Sequence, residues 1–243
     1  MKDSLHLVHL YPQRMNIYGD RGNITTLVRR AEWRGIEVSI TRCEVGDAVP
    51  KDVDLFFFGG GQDQEQGPVA TDLASKAEPL RAAVADGAAL LAVCGGYQLL
   101  GRYYQPDDGP RLEGVSIFDV WTEAGGERLI GNVVADSSLP GLTEVPLVGF
   151  ENHSGLTHLV EGATPLAKVR SGFGNNGRDG TEGCVTGNAV GTYLHGSLLP
   201  KNPHLADWLL KRALRRRNPE SSLPTLDDEL ELTANRQVAA RFG

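Results

Sequence analysis

The chain has 243 residues, a formal net charge of −7 and a sequence pI of about 5.4. This length is enough to bury a large core, and it fits one α/β domain with additions or two small domains. The negative charge argues against nucleic acid as the main partner, because phosphate contacts need a basic face.

Strands alternate with helices in the first part of the chain. We predict strands over 5–10, 37–43, 55–58 and 88–93, and helices over 23–34 and 72–85. Asn23 is expected to cap the first helix and Gly35 to end it. The alternation predicts an α/β fold with a mostly parallel, doubly wound sheet flanked by helices. Ligands of such sheets bind beyond the carboxyl ends of the strands, so residues that follow strands are the site candidates.

The second half of the chain is predicted to be rich in β-structure. Two strands, 115–121 and 128–135, are expected to be joined across Gly125-Gly126, and further strands over 147–150, 166–170, 182–186 and 189–194. Helix returns over 203–217. We therefore expect one domain over residues 1–217, followed by a linker and helical tail over 218–243 that packs on the domain or on a partner.

The cysteines indicate a reducing compartment. Cys43, Cys94 and Cys184 are an odd number, form no CxxC pair and lack the spacing of a zinc site. The N-terminus shows no apolar signal-peptide region, and no segment reaches the ~18 apolar residues of a transmembrane helix. We expect a cytoplasmic protein without a metal site.

A triple-glycine loop, Gly59-Gly60-Gly61-Gln62-Asp63, follows the apolar strand over 55–58. Three glycines at a strand end allow backbone amides to converge on a ligand. A permissive turn and a phosphate cradle are the alternatives. The loop should share one edge of the sheet with the residue that follows the strand over 88–93.

That residue is Cys94, which is followed by Gly95-Gly96 and a helix-forming stretch. A strand, a sharp turn that carries a nucleophile and a helix form the elbow that hydrolytic enzymes use to expose a reactive side chain. A buried, inert cysteine beside a Gly-Gly turn is the alternative for Cys94 considered alone.

A cysteine nucleophile needs a base, and histidine is the usual one. Of six histidines, His195 is distinctive because it ends an apolar strand and is followed by glycine, as Cys94 is. His6 and His9 lie within the opening strand, and His204 starts a helix. We therefore pair His195 with Cys94.

Four motifs in order carry a family resemblance: the triple-glycine loop, the cysteine elbow over 94–101, and the segments 149–155 and 191–196. On them the chain resembles the class I (triad-type) glutamine amidotransferases, in particular the cobyric-acid-synthase-like branch. The segments 10–12, 15–23 and 128–132 are similar to those of the GatD-type glutaminase subunits of lipid II isoglutaminyl synthases. The resemblance spans roughly 5–217 and implies a flavodoxin-like fold.

The resemblance implies hydrolysis of L-glutamine. The Cys94 thiolate, favoured by His195 and the helix N-terminus, would attack the side-chain carboxamide. The backbone amides of Gly95 and Gly60 would stabilise the oxyanion. His195 would then protonate the departing ammonia, and water would hydrolyse the thioester to glutamate.

The resemblance also implies substrate-binding roles for Gln98, Arg128 and Gly61. A guanidinium matches the α-carboxylate of glutamine bidentately, which suits Arg128. From its position on a hairpin alone, Arg128 would be interpreted as a surface residue. His153 is expected to shape the pocket or a turn rather than act as the base.

Two positions depart from the family pattern. Ala92 replaces the first glycine of the usual elbow, although alanine is small enough for the turn. Class I enzymes carry His-x-Glu, whereas this chain has His195-Gly196-Ser197 and no carboxylate there. Either Cys94 and His195 act as a dyad or the acid comes from elsewhere, for example from an aspartate of a partner. On that hypothesis the isolated chain is a weak glutaminase that is activated in a complex.

No ATP-binding motif is recognisable in this chain, so a partner must use the ammonia. The resemblance implies a Mur-ligase-like (MurT-type) subunit that holds ATP and Mg²⁺ and amidates the α-carboxylate of D-glutamate in the lipid II stem peptide, giving D-isoglutamine at the inner membrane face. The alternatives are a cobyrinate-type amidotransferase subunit with another acceptor and a non-catalytic binding module.

Overall fold

The computed structural model describes residues 4–17, 20–61 and 63–243. Tyr18 and Gly19 of the segment 15–23, and Gln62 of the triple-glycine loop, lie outside these described residues. Within them, the chain forms two β-sheets and helices α1 to α6. None of the described helices is both long enough and apolar enough to cross a membrane.

The first sheet confirms the predicted mostly parallel architecture. Among the described residues its order is β11-β12-β4-β3-β1-β2, with every neighbouring pair parallel except β11 and β12. The strands are β1 (Ser4–Leu10), β2 (Glu37–Cys43), β3 (Leu55–Phe58), β4 (Ala89–Val93), β11 (Cys184–Thr186) and β12 (Ala189–Thr192).

Helices cover this sheet because its central strands are apolar on both faces. Every residue of β3 and β4 is buried, as expected for the middle of a parallel sheet. The helices are α1 (Arg21–Glu32), α2 (Asp63–Ala85), α3 (Gly95–Leu99), α4 (Leu198–Lys201), α5 (Pro203–Arg217) and α6 (Glu229–Phe242).

The second sheet contains the β-rich half of the chain. Its order is β10-β9-β7-β5-β6, and β8 pairs with β7. The strands are β5 (Tyr103–Gln105), β6 (Leu112–Glu113), β7 (Val120–Ser137), β8 (Leu147–Leu159), β9 (Ala167–Ser171) and β10 (Thr181–Glu182).

Several local predictions were wrong. Helix α2 begins at Asp63 rather than at residue 72, residues 115–119 lie outside the strands, and 182–186 is divided between β10 and β11 of different sheets. Gly125-Gly126 does not join two strands but lies inside the long strand β7, at an irregularity between Ala124 and Leu129. Pairing with β8 on both sides of this irregularity keeps the strand continuous. Asn23 does not cap α1; the N-cap residue is Asp20, and Asn23 is buried within the helix.

The C-terminal tail packs on the domain. Helix α6 contacts α4, β7 and β8. The Arg30 guanidinium of α1 is buried and pairs with Asp207 of α5 and Asp228 before α6, both at 2.7 Å. Asn235 of α6 donates hydrogen bonds to the carbonyl oxygens of Lys201 and Pro146. The tail is therefore tied to α1 and to the segment that follows His195.

Candidate active site

Cys94 sits at the predicted elbow. It follows β4 directly, and its φ of 50° and ψ of −110° are strained for a residue with a side chain. Its N–H donates to the Thr192 carbonyl at 2.8 Å. Gly96 permits the turn, since a Cβ there would lie 2.7 Å from the Phe58 carbonyl oxygen. The backbone thus holds Cys94 between β4 and α3, where only 6% of its surface is exposed.

His195 lies just beyond the end of the neighbouring strand β12. Its N–H donates to the Phe150 carbonyl at 2.7 Å, which fixes its backbone against β8. Its side chain is completely buried. Because β12 and β4 are parallel neighbours, the histidine and the cysteine leave the sheet at the same edge.

Gly60 of the triple-glycine loop lies between these two side chains. A Cβ built on Gly60 would be 2.9 Å from His195 Cε1 and 3.3 Å from Cys94 Cβ. The predicted nucleophile, base and loop are therefore brought together at the carboxyl edge of the first sheet, as the topology led us to expect.

The surroundings of His195 raise the pKa of its imidazole, so that the ring can act as an acid. Burial alone lowers its pKa, but the charges and hydrogen-bonding capacity of Cys94 and Asp20 outweigh burial and raise the pKa from 6.5 to about 10. At neutral pH the ring therefore carries a proton beside the sulfur atom, and an imidazolium in this position can deliver a proton to a leaving group.

Asp20 places a carboxylate of this chain beside the His195 imidazole, a point that the sequence left open between a dyad and an acid from elsewhere. Its Oδ1 atom lies 3.6 Å from His195 Nδ1, and both side chains are fully buried. Position 197 indeed offers no carboxylate, but a loop from the opposite end of the chain brings one to the imidazole. The sequence allowed an acid from elsewhere but did not indicate that Asp20 would lie beside His195.

The glycine amides are arranged differently from the prediction. The Gly60 N–H donates to Asp20 Oδ2 at 2.7 Å, so while this bond persists that amide does not face a substrate oxyanion. The Gly61 nitrogen lies 3.1 Å from a Cβ built on Gly95. Met15 covers both of these glycines, with its Sδ atom 2.1 Å from a Cβ built on Gly61. Gly61 and Gly95 are thus adjacent under the Met15 side chain.

Gln98 belongs to a buried polar chain beside Cys94. Its Oε1 accepts a hydrogen bond from Gln66 at 3.0 Å, and its Nε2 donates to the Tyr193 hydroxyl at 3.1 Å. The side chain is 4% exposed. The structure therefore places Gln98 in the wall of the site, held at both ends by protein groups.

Arg128 lies farther out, in the irregular part of β7. It is exposed, and its Nη1 atom donates to Asn152 Oδ1 of β8 at 2.8 Å. The neighbouring His153 is buried and stacks on Tyr193 with ring centroids 3.6 Å apart. Strand β8 thus connects Arg128 to the Tyr193–Gln98 wall, although no described contact joins Arg128 to Cys94.

Comparison with known proteins assigns the family. A model of the CobB/CobQ-like glutamine amidotransferase domain matches residues 6–203. The lipid II isoglutaminyl synthase (glutamine-hydrolyzing) subunit GatD of Staphylococcus aureus (strain N315) is 39% identical over 98% of this chain and 96% of its own. The chain belongs to the CobB/CobQ-like glutamine amidotransferase family.

Further comparisons agree with this assignment. The subunit of the same name from Streptococcus pneumoniae (strain ATCC BAA-255 / R6) is 38% identical over 93% of this chain and 87% of its own. The solved structure of PurLQS from Thermotoga maritima superposes with a TM-score of 0.58, covering 88% of this chain and 96% of that one. Because the two sequences are only 17% identical, this structural similarity supports the fold of the amidotransferase and nothing about its activity.

Glu182 supports the segment before His195 and could not be identified as a site residue from the sequence of this amidotransferase. Its carboxylate accepts hydrogen bonds from the Thr192 hydroxyl and, at 3.0 Å, from the Tyr193 N–H. These residues lead directly to His195. A glutamate at a strand end is usually exposed, so the sequence carries no signal that this one is fully buried.

We expect Glu182→Gln to change how the stability of this amidotransferase depends on pH. Burial raises the pKa of Glu182 from 4.5 to about 7, against the opposing hydrogen bonds. A raised folded-state pKa contributes stability below about pH 4.5 that is lost as the pH rises through 7. Relative to the wild type, the glutamine variant should gain roughly 3 kcal/mol between pH 4.5 and 8, measured by urea unfolding.

The exposed Glu161 provides the matched control. The Glu161→Gln variant should unfold in parallel with the wild type at both pH values. A constant difference between wild type and Glu182→Gln across this range would contradict a raised Glu182 pKa in the native state.

Proposed function

We propose that the chain is the glutamine-hydrolysing subunit of a lipid II isoglutaminyl synthase. The observation that carries this proposal is the near-full-length similarity, at 39% and 38% identity, to two subunits of that name. The meeting of Cys94 and His195 at Gly60 supports it, because an imidazole that takes the proton of a neighbouring thiol leaves a thiolate, which is the form that attacks an amide carbon.

In the proposed reaction the Cys94 thiolate attacks the side-chain carboxamide carbon of L-glutamine. A carbon–sulfur bond forms, and the carbonyl oxygen becomes an oxyanion. His195 donates its proton to the nitrogen, and ammonia leaves as the thioester forms. Water then gives a proton back to His195 and adds to the thioester, which releases glutamate and restores the Cys94 thiolate.

The oxyanion is stabilised by backbone N–H groups at the elbow. Gly95 supplies one donor, as its position directly after Cys94 implies. The Gly61 amide, which borders Gly95, is better placed than Gly60 as the second donor, because the Gly60 N–H is held by Asp20. Gln98 forms the wall against which the glutamine side chain lies.

The ammonia is passed to a partner subunit. We propose a MurT-type, Mur-ligase-like partner that binds ATP and Mg²⁺ and activates the α-carboxylate of D-glutamate in the lipid II stem peptide. The product of the pair is D-isoglutamine. Because lipid II is lipid-linked, the complex works at the inner face of the membrane.

Reconstitution tests this function. The full chain is combined with a candidate ligase subunit, lipid II, L-glutamine and MgATP, and the stem peptide is analysed by mass spectrometry. Conversion of the α-carboxyl group of D-glutamate into a carboxamide, seen only when both subunits are present, supports the proposal. Hydrolysis of glutamine with amidation of a corrinoid instead supports the cobyrinate-type alternative, and absence of glutamate release with every acceptor supports the binding module.

We expect Arg128→Ala to weaken glutamine binding. Loss of a charge-assisted, bidentate contact to the α-carboxylate should raise KM for glutamine by about 10- to 100-fold and change kcat less, since this group does not touch the reacting carbon. Steady-state glutaminase kinetics measure both parameters. Arg170→Ala removes another exposed, hydrogen-bonded arginine of the second sheet and should leave KM unchanged. An unchanged KM in Arg128→Ala would remove Arg128 from the substrate site.

A further inference from the structure

Asp20 is the N-cap residue of α1, but it does not act as a cap. An aspartate at this position usually accepts a hydrogen bond from a backbone N–H of the first helical turn. Here the side chain makes no capping bond. The carboxylate is instead turned away from its own helix and fully buried. The helix therefore forgoes a stabilising interaction, which indicates that the carboxylate is used elsewhere.

The two carboxylate oxygens of Asp20 face two parts of the candidate site. Oδ2 accepts the Gly60 N–H at 2.7 Å, and Oδ1 lies 3.6 Å from His195 Nδ1. A buried carboxylate is costly unless a cation or hydrogen bonds compensate it. The charge of Asp20 also acts on His9 and raises the pKa of that imidazole, but burial and Arg42 lower it to about 4. His9 is therefore neutral at pH 7. The group that can compensate the charge at Oδ1 is His195, when its ring is protonated.

The helix that carries Asp20 is fixed to the segment that carries His195. Gly22 fits against Ser197 so closely that a Cβ on this glycine would lie 2.0 Å from Ser197 Oγ. The Asn23 side chain accepts a hydrogen bond from the Leu199 N–H at 2.9 Å. Both contacts join the first turn of α1 to residues just after His195, so the two site residues belong to one packed unit.

We propose that Asp20 is the positioning residue behind His195, so that the chain itself completes a Cys94–His195–Asp20 arrangement. This inference rests on the proposed glutaminase function. Asp20 directs Nδ1 of the imidazole toward itself and Nε2 toward the sulfur atom, and it stabilises the imidazolium that accompanies the thiolate. Its role is to orient the ring and to stabilise the ring's positive charge, not to take a proton from it. Its second oxygen anchors Gly60, so one carboxylate sets the distance between the base and the glycine loop.

Alkylation of Cys94 tests this role without requiring turnover. The full chain is treated with iodoacetamide from pH 5 to 10, and modification of the Cys94 peptide is followed by mass spectrometry. The Asp20→Asn variant keeps an oxygen acceptor for the Gly60 N–H but loses the charge. We expect its alkylation at pH 7 to be about tenfold slower than that of the wild type, with the pH–rate profile displaced upward and the two rates converging at high pH. The Asp20→Ala variant should show the same displacement and a further loss of glutaminase kcat, because Gly60 is also released.

Asp86→Asn is the matched control. This exposed aspartate lies just before β4, at the opposite edge of the sheet, and the variant should reproduce the wild-type profile. A profile of Asp20→Asn that coincides with the wild type, or that is lowered equally at every pH, would overturn the inference. If a partner's carboxylate orients His195 instead, Asp20→Asn should match the wild type both alone and in the reconstituted complex. Displaced alkylation in a chain that hydrolyses no glutamine even in the reconstituted complex would overturn the proposed function and leave the role of Asp20 standing.

Discussion

Replacing Cys94 with alanine is expected to abolish glutamine hydrolysis, with a loss of at least about 10⁴-fold in kcat. The thioester cannot form without the sulfur atom, and the described part of the chain offers no other nucleophile at the elbow. The fold should survive, because the strained turn depends on Gly96 and on the backbone bond to Thr192 rather than on the thiol. Glutamate release and thermal unfolding, measured on the same sample, check both halves of this prediction.

Cys43 provides the control for loss of a thiol. It is buried at the end of β2, and Cys43→Ala should retain glutaminase activity. A glutamine-analogue electrophile should label the wild type and Cys43→Ala stoichiometrically and leave Cys94→Ala unlabelled. Residual turnover of Cys94→Ala within tenfold of the wild type would rule out the covalent mechanism.

The substitution Gly60→Ala should have the second-largest effect, a fall of about 10²- to 10³-fold in kcat/KM. The added methyl group would lie 2.9 Å from His195 Cε1 and 3.2 Å from Ile17 Cγ1, closer than side chains normally pack. It would also press against Cys94 and push the base away from the nucleophile. Because the damage is to alignment, we expect kcat/KM to fall far more than the unfolding temperature.

Gly67 of α2 is the matched control for this glycine. A Cβ at that position meets no atom within 4 Å, so Gly67→Ala should keep full activity. No gain of stability is expected from the higher helix propensity of alanine, because Pro68 disfavours a helical conformation of a preceding residue that has a Cβ. Equal activities of Gly60→Ala and Gly67→Ala would show that the glycine loop does not control the geometry of the site.

Much of the parallel sheet could be predicted because its strands leave an unambiguous pattern. Leu55–Phe58 is apolar without interruption and is followed at once by glycines, which is typical of a short strand buried on both faces. The predicted bounds of β2, β3 and α5 agree with the structure. The β7–β8 ribbon was harder to predict. A Gly-Gly pair indicates a turn locally, whereas pairing of β7 with the distant strand β8 keeps this segment extended.

In the candidate site too, some residues could be predicted from the sequence and others could not. Cys94 and His195 were identifiable because each follows a strand and precedes a glycine, and parallel topology then places them together. Asp20 could not be identified from the sequence, because the direction of a side chain at the start of a helix depends on the residues that pack against it. In a sequence, an aspartate before a helix indicates a cap, and only the contacts of Gly22 and Asn23 with the segment after His195 reveal its other use.

The ion pairs of Arg30 bear on when the site can form during synthesis. This arginine binds Asp207 and Asp228, which are 177 and 198 residues away along the chain. Strand β12, which precedes His195, also joins the sheet beside β4 only after residues 1–188 have been made. Closure of such distant pairs is slow and occurs late in folding. A nascent chain therefore contains Cys94 and the glycine loop well before the segment that carries His195 has been made, so the candidate site can form only after that segment has been synthesised.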